Sequence, residues 1–312
     1  MPTALHAGVL RVTFPLPLGI DHVHSYLLDG EAGWTLVDTG LGLPEARERW
    51  RGVLEGHDGS VARIVVTHFH PDHVGGAADV AELTGAPVYQ GRLDYEQCLG
   101  VWGPERAPER VSAHLQAHGM PAELVTGVLG ESAIVAGVVR YSPDPEPLDP
   151  GDRLDGWEVV HLPGHADGHM ALIRDDVLIA GDALLGEITP NVGLWPNSRP
   201  DPLGDFLSSL REIVRRAPRI AYPGHGAPIE DPAGRARQIL DHHEERLEAT
   251  GQVLGAEPRT AYEASLDLFP DALSGGLRRF ALVESLAHLE HLALLGGATR
   301  VEEDGSVRYA AA

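Results

Sequence analysis

The sequence predicts an α/β fold with a smaller helical region at its C-terminal end. Short apolar segments typical of strands alternate with helical segments over roughly the first 230 residues. Histidine or aspartate residues directly follow several of these apolar segments. Beyond Asp231-Pro232 the alternation gives way to helices and a final hairpin. We therefore predict a larger domain over residues 1–232 and an appendage over residues 233–312.

The first elements are predicted from apolar runs and from helix-start signals. Pro44 suits the first position of a helix because its ring already fixes a helical φ. In chain order, the predicted elements are strands at 9–14, 25–28 and 34–37, a helix at 44–54, a strand at 64–66, a helix at 74–83 and a short strand at 87–89. The helix at 74–83 would begin beside His73 and would point its positive end toward the residues before it.

The segment that follows the strand at 64–66 is rich in potential metal ligands and reads Thr67-His68-Phe69-His70-Pro71-Asp72-His73. Side chains alternate between the two faces of an extended chain, so His68 and His70 can reach one ion. Pro71 ends the strand and turns the chain, which brings Asp72 and His73 to a neighbouring position where a second ion could sit. A single His-x-His would carry little weight, but four ligand residues at this spacing predict a metal site.

Three further candidate ligands lie downstream, namely His165, Asp182 and His225. Each comes after a short apolar segment and directly after a glycine, which lets the backbone turn sharply and leaves room for an ion. The chain thus offers five histidines and two aspartates as ligands. Zinc in a catalytic site takes about three protein ligands, so this set suits two ions that share a carboxylate.

These motifs resemble the metallo-β-lactamase superfamily signature, His-x-His-x-Asp-His followed by a distant His, Asp and His, over roughly residues 9–230. The resemblance implies a four-layer αβ/βα sandwich. It also implies a first metal held by His68, His70 and His165, a second held by Asp72, His73 and His225, and Asp182 as the bridge. Asp38 matches the aspartate that ends an early strand beneath the site in this family. We expect Asp38 and His169 to orient the ligands through hydrogen bonds.

Residues 92–150 interrupt the strand–helix alternation between two ligand-bearing segments. They contain helical segments at 109–118 and 122–129 and a proline-rich stretch at 142–147. Because functional loops collect around a rigid scaffold, we predict that this insertion forms a wall of the substrate site, with packing away from the site as the alternative. Tyr95, Trp102 and Met120, together with Trp195 in a later turn, are the candidate apolar wall residues, and ordinary core positions are the alternative for each.

The C-terminal region resembles the winged-helix appendage of some members of the superfamily. Predicted helices at 235–250, 262–268 and 277–295 precede a hairpin at 298–309 with its turn at Asp304-Gly305. Arg278 and Arg279 stand among acidic residues, so we expect packing or dimerisation rather than DNA binding. We expect His242 and His243 to lie at the surface.

Composition narrows the range of partners. The formal net charge is −22, acidic residues outnumber basic ones 46 to 24, and the chain has no lysine. This charge repels polyanions and anionic membranes at long range, so nucleic acid is disfavoured and a small-molecule substrate is expected. No apolar run approaches a membrane span, and no secretory signal is recognisable, so cytoplasmic residence is expected. Cys98 is the only cysteine, so the predicted metal ligands are nitrogen and oxygen atoms and not thiolates. Whether the chain forms a homodimer stays open.

The resemblance implies hydrolysis by a metal-bridging hydroxide. Two metals about 3.5–4 Å apart lower the pKa of a bound water toward ~7, and the hydroxide can then attack an ester, lactone or thioester carbonyl. We expect Asp72 to hold or move the proton of the attacking water. Nitrogen and oxygen ligands favour two divalent ions per chain, with zinc as the first choice and iron, manganese or cobalt as alternatives.

Two other functions stay open at this point. A metal-dependent phosphodiesterase or ribonuclease would need a basic track leading to the metals, which the sequence does not offer. A non-catalytic binding module would not need seven intact ligands. Among carbonyl substrates, the lack of lysine weakens a glyoxalase-type thioesterase, whereas the 92–150 insertion could provide the apolar pocket of a lactonase.

Overall fold

The computed structural model describes residues 2–17, 19–57, 59–271 and 275–312. The elements up to residue 136 are β1 (Thr3–Ala4), β2 (Val9–Pro15), β3 (His22–Leu28), β4 (Trp34–Val37), α1 (Pro44–Glu55), β5 (Val61–Val66), α2 (Pro71–Val74), α3 (Ala77–Thr84), β6 (Val88–Gly91), α4 (Arg92–Trp102), α5 (Pro108–Ala117) and α6 (Ala122–Ala136). The elements that follow are β7 (Glu146–Leu148), β8 (Arg153–Leu154), β9 (Trp157–His161), β10 (Met170–Arg174), β11 (Val177–Gly181), α7 (Pro202–Arg216), β12 (Ile220–Pro223), α8 (Pro232–Gln252), α9 (Ala261–Leu268), α10 (Gly275–Leu294), β13 (Ala298–Glu303) and β14 (Ser306–Ala311).

Two mixed sheets form the centre of the molecule. The first has seven strands in the order β1-β2-β3-β4-β5-β6-β7, and the second has five in the order β12-β11-β10-β9-β8. Parallel pairing joins β4 to β5, β5 to β6, β6 to β7 and β11 to β12. The inner faces of the sheets share one buried core, to which the first sheet contributes Tyr26 and Val65 and the second contributes Trp157, Leu172 and Tyr222.

Helices cover the outer face of each sheet. Trp50 of α1 and Val80 of α3 pack against Ile64 of the first sheet. Phe206 of α7 and Ile239 of α8 belong to the core cluster that covers the second sheet. Burying each of these side chains contributes roughly 1.5–3 kcal/mol, which fixes the layers against one another. The predicted four-layer sandwich is confirmed.

The C-terminal region consists of helices and a hairpin, as predicted. α9, α10 and the hairpin share a core that includes Ala264, Leu286 and Tyr309. Asp304 and Gly305 have φ of 51° and 76°, the left-handed pair that a two-residue hairpin turn requires. The helix α8 begins at Pro232, and its first half packs in the α7 core cluster, so the domain boundary at residue 232 stays a prediction.

Three local predictions differ from the structure. The helix predicted at 74–83 begins only at Ala77, and Val74 ends the separate short helix α2, because the chain at Gly75 and Gly76 runs against the loop after β4. A Cβ at Gly76 would lie 2.9 Å from the carbonyl oxygen of Thr39, and the Gly76 N–H donates to the Gly40 carbonyl. His243 is fully buried rather than at the surface. The helix α4 begins at Arg92, inside a stretch for which we predicted no helix.

None of the helices in the described part of the chain combines the length and apolar character needed to cross a membrane.

Candidate metal centre

Loops at one edge of the two sheets bring the seven predicted ligands together. These loops follow β5, β9, β11 and β12. Three sets of donor atoms each fit within 4.8 Å, and the sets are His68 with His70 and His165, His68 with His73 and Asp182, and Asp72 with His73 and His225. Residues separated by more than 150 positions in the sequence therefore meet at one site.

The first set contains three imidazoles that converge. The Nε2 of His68 lies 3.0 Å from the Nδ1 of His70. The ring of His165 faces that of His70 edge-on, with 4.5 Å between their centroids. The predicted first metal set is thus assembled from the β5 loop and the β9 loop.

The second predicted metal set, formed by Asp72, His73 and His225, contains two imidazoles and a carboxylate. The Nε2 of His225 lies 3.4 Å from the Oδ2 of Asp72, and the Nε2 of His73 lies 3.9 Å from the same oxygen. His73 is fully buried, whereas the Asp72 side chain is 14% exposed. Asp72 therefore stands at the open side of the site.

Asp182 lies between the two sets. Its Oδ2 is 3.7 Å from the Nε2 of His165 and 3.2 Å from the Nε2 of His225, and its Oδ1 is 3.5 Å from the Nε2 of His73. One carboxylate thus reaches a histidine of the first set and both histidines of the second. The bridging role that the resemblance implies for Asp182 stays a prediction, and this position is compatible with it.

Hydrogen bonds to the far side of three imidazoles decide which nitrogen faces the site. His165 and His225 donate from Nδ1 to the carbonyl oxygens of Asn191 (2.8 Å) and His22 (2.6 Å), and His73 donates from Nδ1 to the Oδ2 of Asp38 (2.8 Å). Carbonyl and carboxylate oxygens only accept, so each Nδ1 carries a proton and each Nε2 is the nitrogen that faces the site.

The inward-facing atoms fit bound cations. The Nε2 atoms of His73 and His165 and the Oδ1 of Asp182 are buried and have no hydrogen-bond partner among the described residues. Buried polar atoms without partners are rare in proteins, and here three of them converge. Nitrogen and carboxylate donors in sets of three suit divalent transition metals such as zinc.

Two models of known families match this chain. Residues 18–225 match that of the Metallo-beta-lactamase superfamily. The chain belongs to this superfamily. Residues 247–312 match the model described as Metallo-beta-lactamase-like, C-terminal domain. Together with the complete set of donors, membership makes the chain a metallo-hydrolase, and its histidine and aspartate clusters form the metal site.

Individual members of the superfamily resemble the chain over most of its length. The crystal structure of a metallo-beta-lactamase family protein from Thermus thermophilus is 37% identical, with a TM-score of 0.85, and the match covers 99% of this chain and 100% of that one. The probable metallo-hydrolase YqjP of Bacillus subtilis is 28% identical over 96% of this chain and 97% of its own. An atrochrysone carboxyl ACP thioesterase of Cryptosporiopsis is 23% identical over 83% of this chain and 70% of its own.

Asp38 lies beneath the site of this superfamily member, where it contacts His73 directly and His68 through Thr67. Its Oδ1 accepts from the Thr67 N–H at 2.8 Å, and its Oδ2 accepts from the Thr67 hydroxyl and from His73, each at 2.8 Å. The Thr67 oxygen in turn lies 3.0 Å from the Nδ1 of His68. Asp38 has φ of 58°, a left-handed conformation that aspartate tolerates better than most residues. Its carboxylate therefore orients one histidine of each set.

His169 contacts the backbone of Asp182. Its Nε2 accepts from the Asp182 N–H at 3.1 Å, and its ring stacks on His68 with 4.9 Å between centroids. A Cβ at Gly181 would lie 2.7 Å from this Nε2, so glycine is required before Asp182. His169 thus has the predicted position beside the ligands, with its Nε2 already engaged.

The charges in the site are set by burial and by the two carboxylates. Burial lowers the pKa of His68 and of His70 well below the ordinary value, and both rings are therefore neutral ligands. Burial acts to raise the pKa of Asp182, but His73 and His225 outweigh it and hold that pKa well below the usual range. Asp182 is therefore ionised.

The helix α4 supplies hydrogen bonds to the ligand segment that the sequence did not reveal. Phe69 lies between His68 and His70, and its N–H donates to the Oδ1 of Asp94 at 3.0 Å. The Nε1 of Trp102 donates to the Phe69 carbonyl at 2.7 Å. The sequence feature that could have indicated these hydrogen bonds is the polar pair Asp94 and Gln97, which α4 buries beside Cys98.

The four candidate wall residues lie in different surroundings. Tyr95 donates from its hydroxyl to the Pro143 carbonyl, and Trp102 contacts the ligand segment as described. Met120 is only 3% exposed and packs in a core cluster within the insertion and against α10, so its prediction as a pocket wall is corrected to a core position. Trp195 packs against the same cluster from the loop after β11.

Proposed function

We propose that this metallo-hydrolase uses two metal ions to cleave a small carbonyl ester, thioester or lactone. The observation that carries this proposal is the arrangement of seven donor residues in two sets that share Asp182. A single-metal site would need only one set, with about three protein ligands. Zinc is the first choice for both positions, and iron, manganese or cobalt are alternatives.

The residues of the chain have distinct tasks in this scheme. His68, His70 and His165 would hold one ion, Asp72, His73 and His225 the other, and Asp182 both. When bound, the ion pair supplies an activated water and polarises the carbonyl of the substrate. Asp72 is the more exposed of the two carboxylates, and its Oδ2 faces the Nε2 atoms of His225 and His73. We assign to Asp72 the holding and transfer of the proton from the attacking water.

Charge and kinship support a small acyl substrate. The net charge of −22 and the lack of lysine disfavour nucleic acid as a partner. The name of the fungal relative, an acyl carrier protein thioesterase, supports a thioester among the three carbonyl classes. A phosphodiester substrate has no comparable support in the residues around the site.

The test combines metal content with a substrate panel. Protein purified without added metal is analysed for metals and assayed on a lactone, a thioester and a phosphodiester before and after chelation. We expect about two metals per chain and carbonyl hydrolysis that chelation abolishes. Turnover of the phosphodiester alone, or retention of carbonyl hydrolysis in metal-free protein, would contradict the proposal.

A single substitution tests the bridging role of Asp182. We expect Asp182→Asn to bind no more than one metal per chain and to lower kcat/KM by about 100-fold or more, because both sets lose a shared anionic ligand. Asp176→Asn makes the same chemical change at a surface ion pair with Arg219 and should keep both metals. Two tightly bound metals in Asp182→Asn would exclude Asp182 as the bridge.

A further inference from the structure

We infer that Glu284, on α10 of the C-terminal region, is a positioning residue for the metal ligand His165. The connection has two hydrogen bonds. The Nδ2 of Asn191 donates to the Oε2 of Glu284 at 2.6 Å, and the backbone carbonyl of Asn191 accepts from the Nδ1 of His165 at 2.8 Å. The inference rests on the metal-binding part of the proposed function. It gives the C-terminal region a role in assembling the metal centre.

The loop that carries Asn191 is held against α10 at a second point. The Leu194 N–H donates to the Val283 carbonyl at 3.0 Å, one residue before Glu284. A Cβ at Gly193 would lie 2.6 Å from the Cγ2 of Val283, so the loop and the helix are in close contact. This loop has no helix or strand of its own between β11 and α7. Its shape near His165 therefore depends on α10.

The helix α10 is itself fixed at this position. The Nδ1 of His288 donates to the Glu284 carbonyl at 2.8 Å, and the Nε2 of His288 accepts from His243 on α8 at 3.1 Å. His243 and His288 are almost fully buried. A continuous series of contacts thus runs from α8 through α10 to Asn191 and ends at a metal ligand.

The hydrogen bond from Asn191 to Glu284 matters because its loss would free the loop that positions His165. The Asn191 carbonyl holds the proton of His165 on Nδ1 and directs the Nε2 toward Asp182. Without Glu284 the Asn191 side chain loses its acceptor, and the loop can shift away from that carbonyl position. Hydrogen-bond partners of metal-bound histidines typically change metal affinity by about 10- to 100-fold when they are removed.

The test measures metal affinity in the full-length protein. Zn²⁺ affinity is determined by competition with a chromophoric chelator, and the visible absorption of Co²⁺ reports ligand geometry. Glu284→Leu removes the acceptor, whereas Glu284→Gln keeps an oxygen that can accept from Asn191. Asn191→Ala removes the donor from the loop side, which also covers the case that Glu284→Leu does not fold.

We expect Glu284→Leu and Asn191→Ala each to weaken binding of one Zn²⁺ by about 10-fold and to alter the Co²⁺ spectrum. The double variant should be no weaker than either single variant, because both changes break the same link. Glu284→Gln should stay within about 3-fold of the parent affinity.

Glu290→Leu is the matched control. Glu290 lies on the same helix, but its carboxylate contacts Arg300 and Tyr309 in the hairpin, so its loss perturbs α10 without touching Asn191. We expect parent Zn²⁺ affinity in this variant. Parent affinity and spectrum in both Glu284→Leu and Asn191→Ala, or equal weakening in Glu290→Leu, would overturn the inference. A parent protein that binds fewer than two metals would instead count against the proposed function.

Discussion

Asp38 shows how much one residue contributes to this site. It follows β4 with a left-handed φ of 58°, which turns its side chain beneath the ligand loops. Its two oxygens accept from Thr67 and His73, and Thr67 contacts His68. A carboxylate is needed here because three donors converge on it, and an amide would direct its own N–H groups at one or more of them.

At the scale of this residue, we expect Asp38→Asn to lower Zn²⁺ affinity by about 10- to 100-fold while the protein stays folded. Asparagine tolerates the left-handed backbone, so the loss should arise from the donors and not from strain. Asp175→Asn is the control, since Asp175 is exposed and has φ of 53° in the turn between β10 and β11. Metal titration of both variants checks this, and equal affinity in the two would disprove the role of Asp38.

At the scale of an element, α4 forms hydrogen bonds with the backbone between His68 and His70. Its side chains Asp94 and Trp102 bond both backbone polar groups of Phe69. The Nε2 of Gln97 donates at 2.6 Å to Asp167, which lies two residues after His165. One helix of the insertion therefore contacts two ligand loops. This supports a structural role for the start of the insertion, beside any role as a substrate wall.

For this helix, we expect Trp102→Phe to weaken Zn²⁺ binding by a few-fold and to reduce the free energy of unfolding by about 1 kcal/mol, the cost of one lost hydrogen bond. Trp157→Phe removes the same group from a fully buried indole whose Nε1 has no hydrogen-bond partner among the described residues. It should lower stability through packing and leave Zn²⁺ affinity unchanged. Unchanged Zn²⁺ affinity in Trp102→Phe as well would show that α4 does not position the ligands.

At the scale of the whole molecule, buried histidines link the sandwich to the C-terminal region. His243 of α8 donates to His288 of α10, and both rings are almost completely shielded from solvent. Burial, with a smaller contribution from the nearby Arg246, lowers the pKa of His243 to about 3 and that of His288 to about 4. The two helices therefore pack with both rings neutral.

This pair predicts a loss of stability in acid. The folded-state pKa values lie below the unfolded value of 6.5, so the stabilisation is present above pH 6.5 and is lost as the pH falls toward 4 and then 3. We expect the parent to lose on the order of 3 kcal/mol for each ring between about pH 7 and pH 4. The free energy of unfolding in urea, measured across this range, provides the check.

The pH dependence of the free energy of unfolding is compared among His288→Gln, His57→Gln and the parent protein. His288→Gln removes one of the two titrating rings and should flatten the pH dependence, whereas His57→Gln, near the end of α1, should follow the parent. Acid also protonates the ligand histidines, so the difference between each variant and the parent is the quantity that counts. Identical pH dependence in His288→Gln and the parent would be incompatible with a neutral buried pair.

Local patterns in the sequence determined most elements and the ligand set. The β4 strand and the Asp304-Gly305 turn lie at the predicted positions, because an apolar run and a turn signal act within a few residues. The convergence of the seven candidate ligands was also predictable, since a metal site requires specific residue types and the motif after β5 is compact. The same reasoning failed at Gly75 and Gly76, where a helix is broken by contact with the loop after β4.

The sequence by itself thus determined the superfamily, the α/β sandwich and the candidate metal ligands. Only the tertiary structure decided which distant polar groups pair with one another around those candidate ligands. Asp94 is 25 positions from Phe69, His288 is 45 from His243, and Glu284 is 93 from Asn191. Hydrogen bonds over such separations leave no periodic pattern in the chain. They form because packing of the layers brings the partners together and because a buried polar group needs a partner.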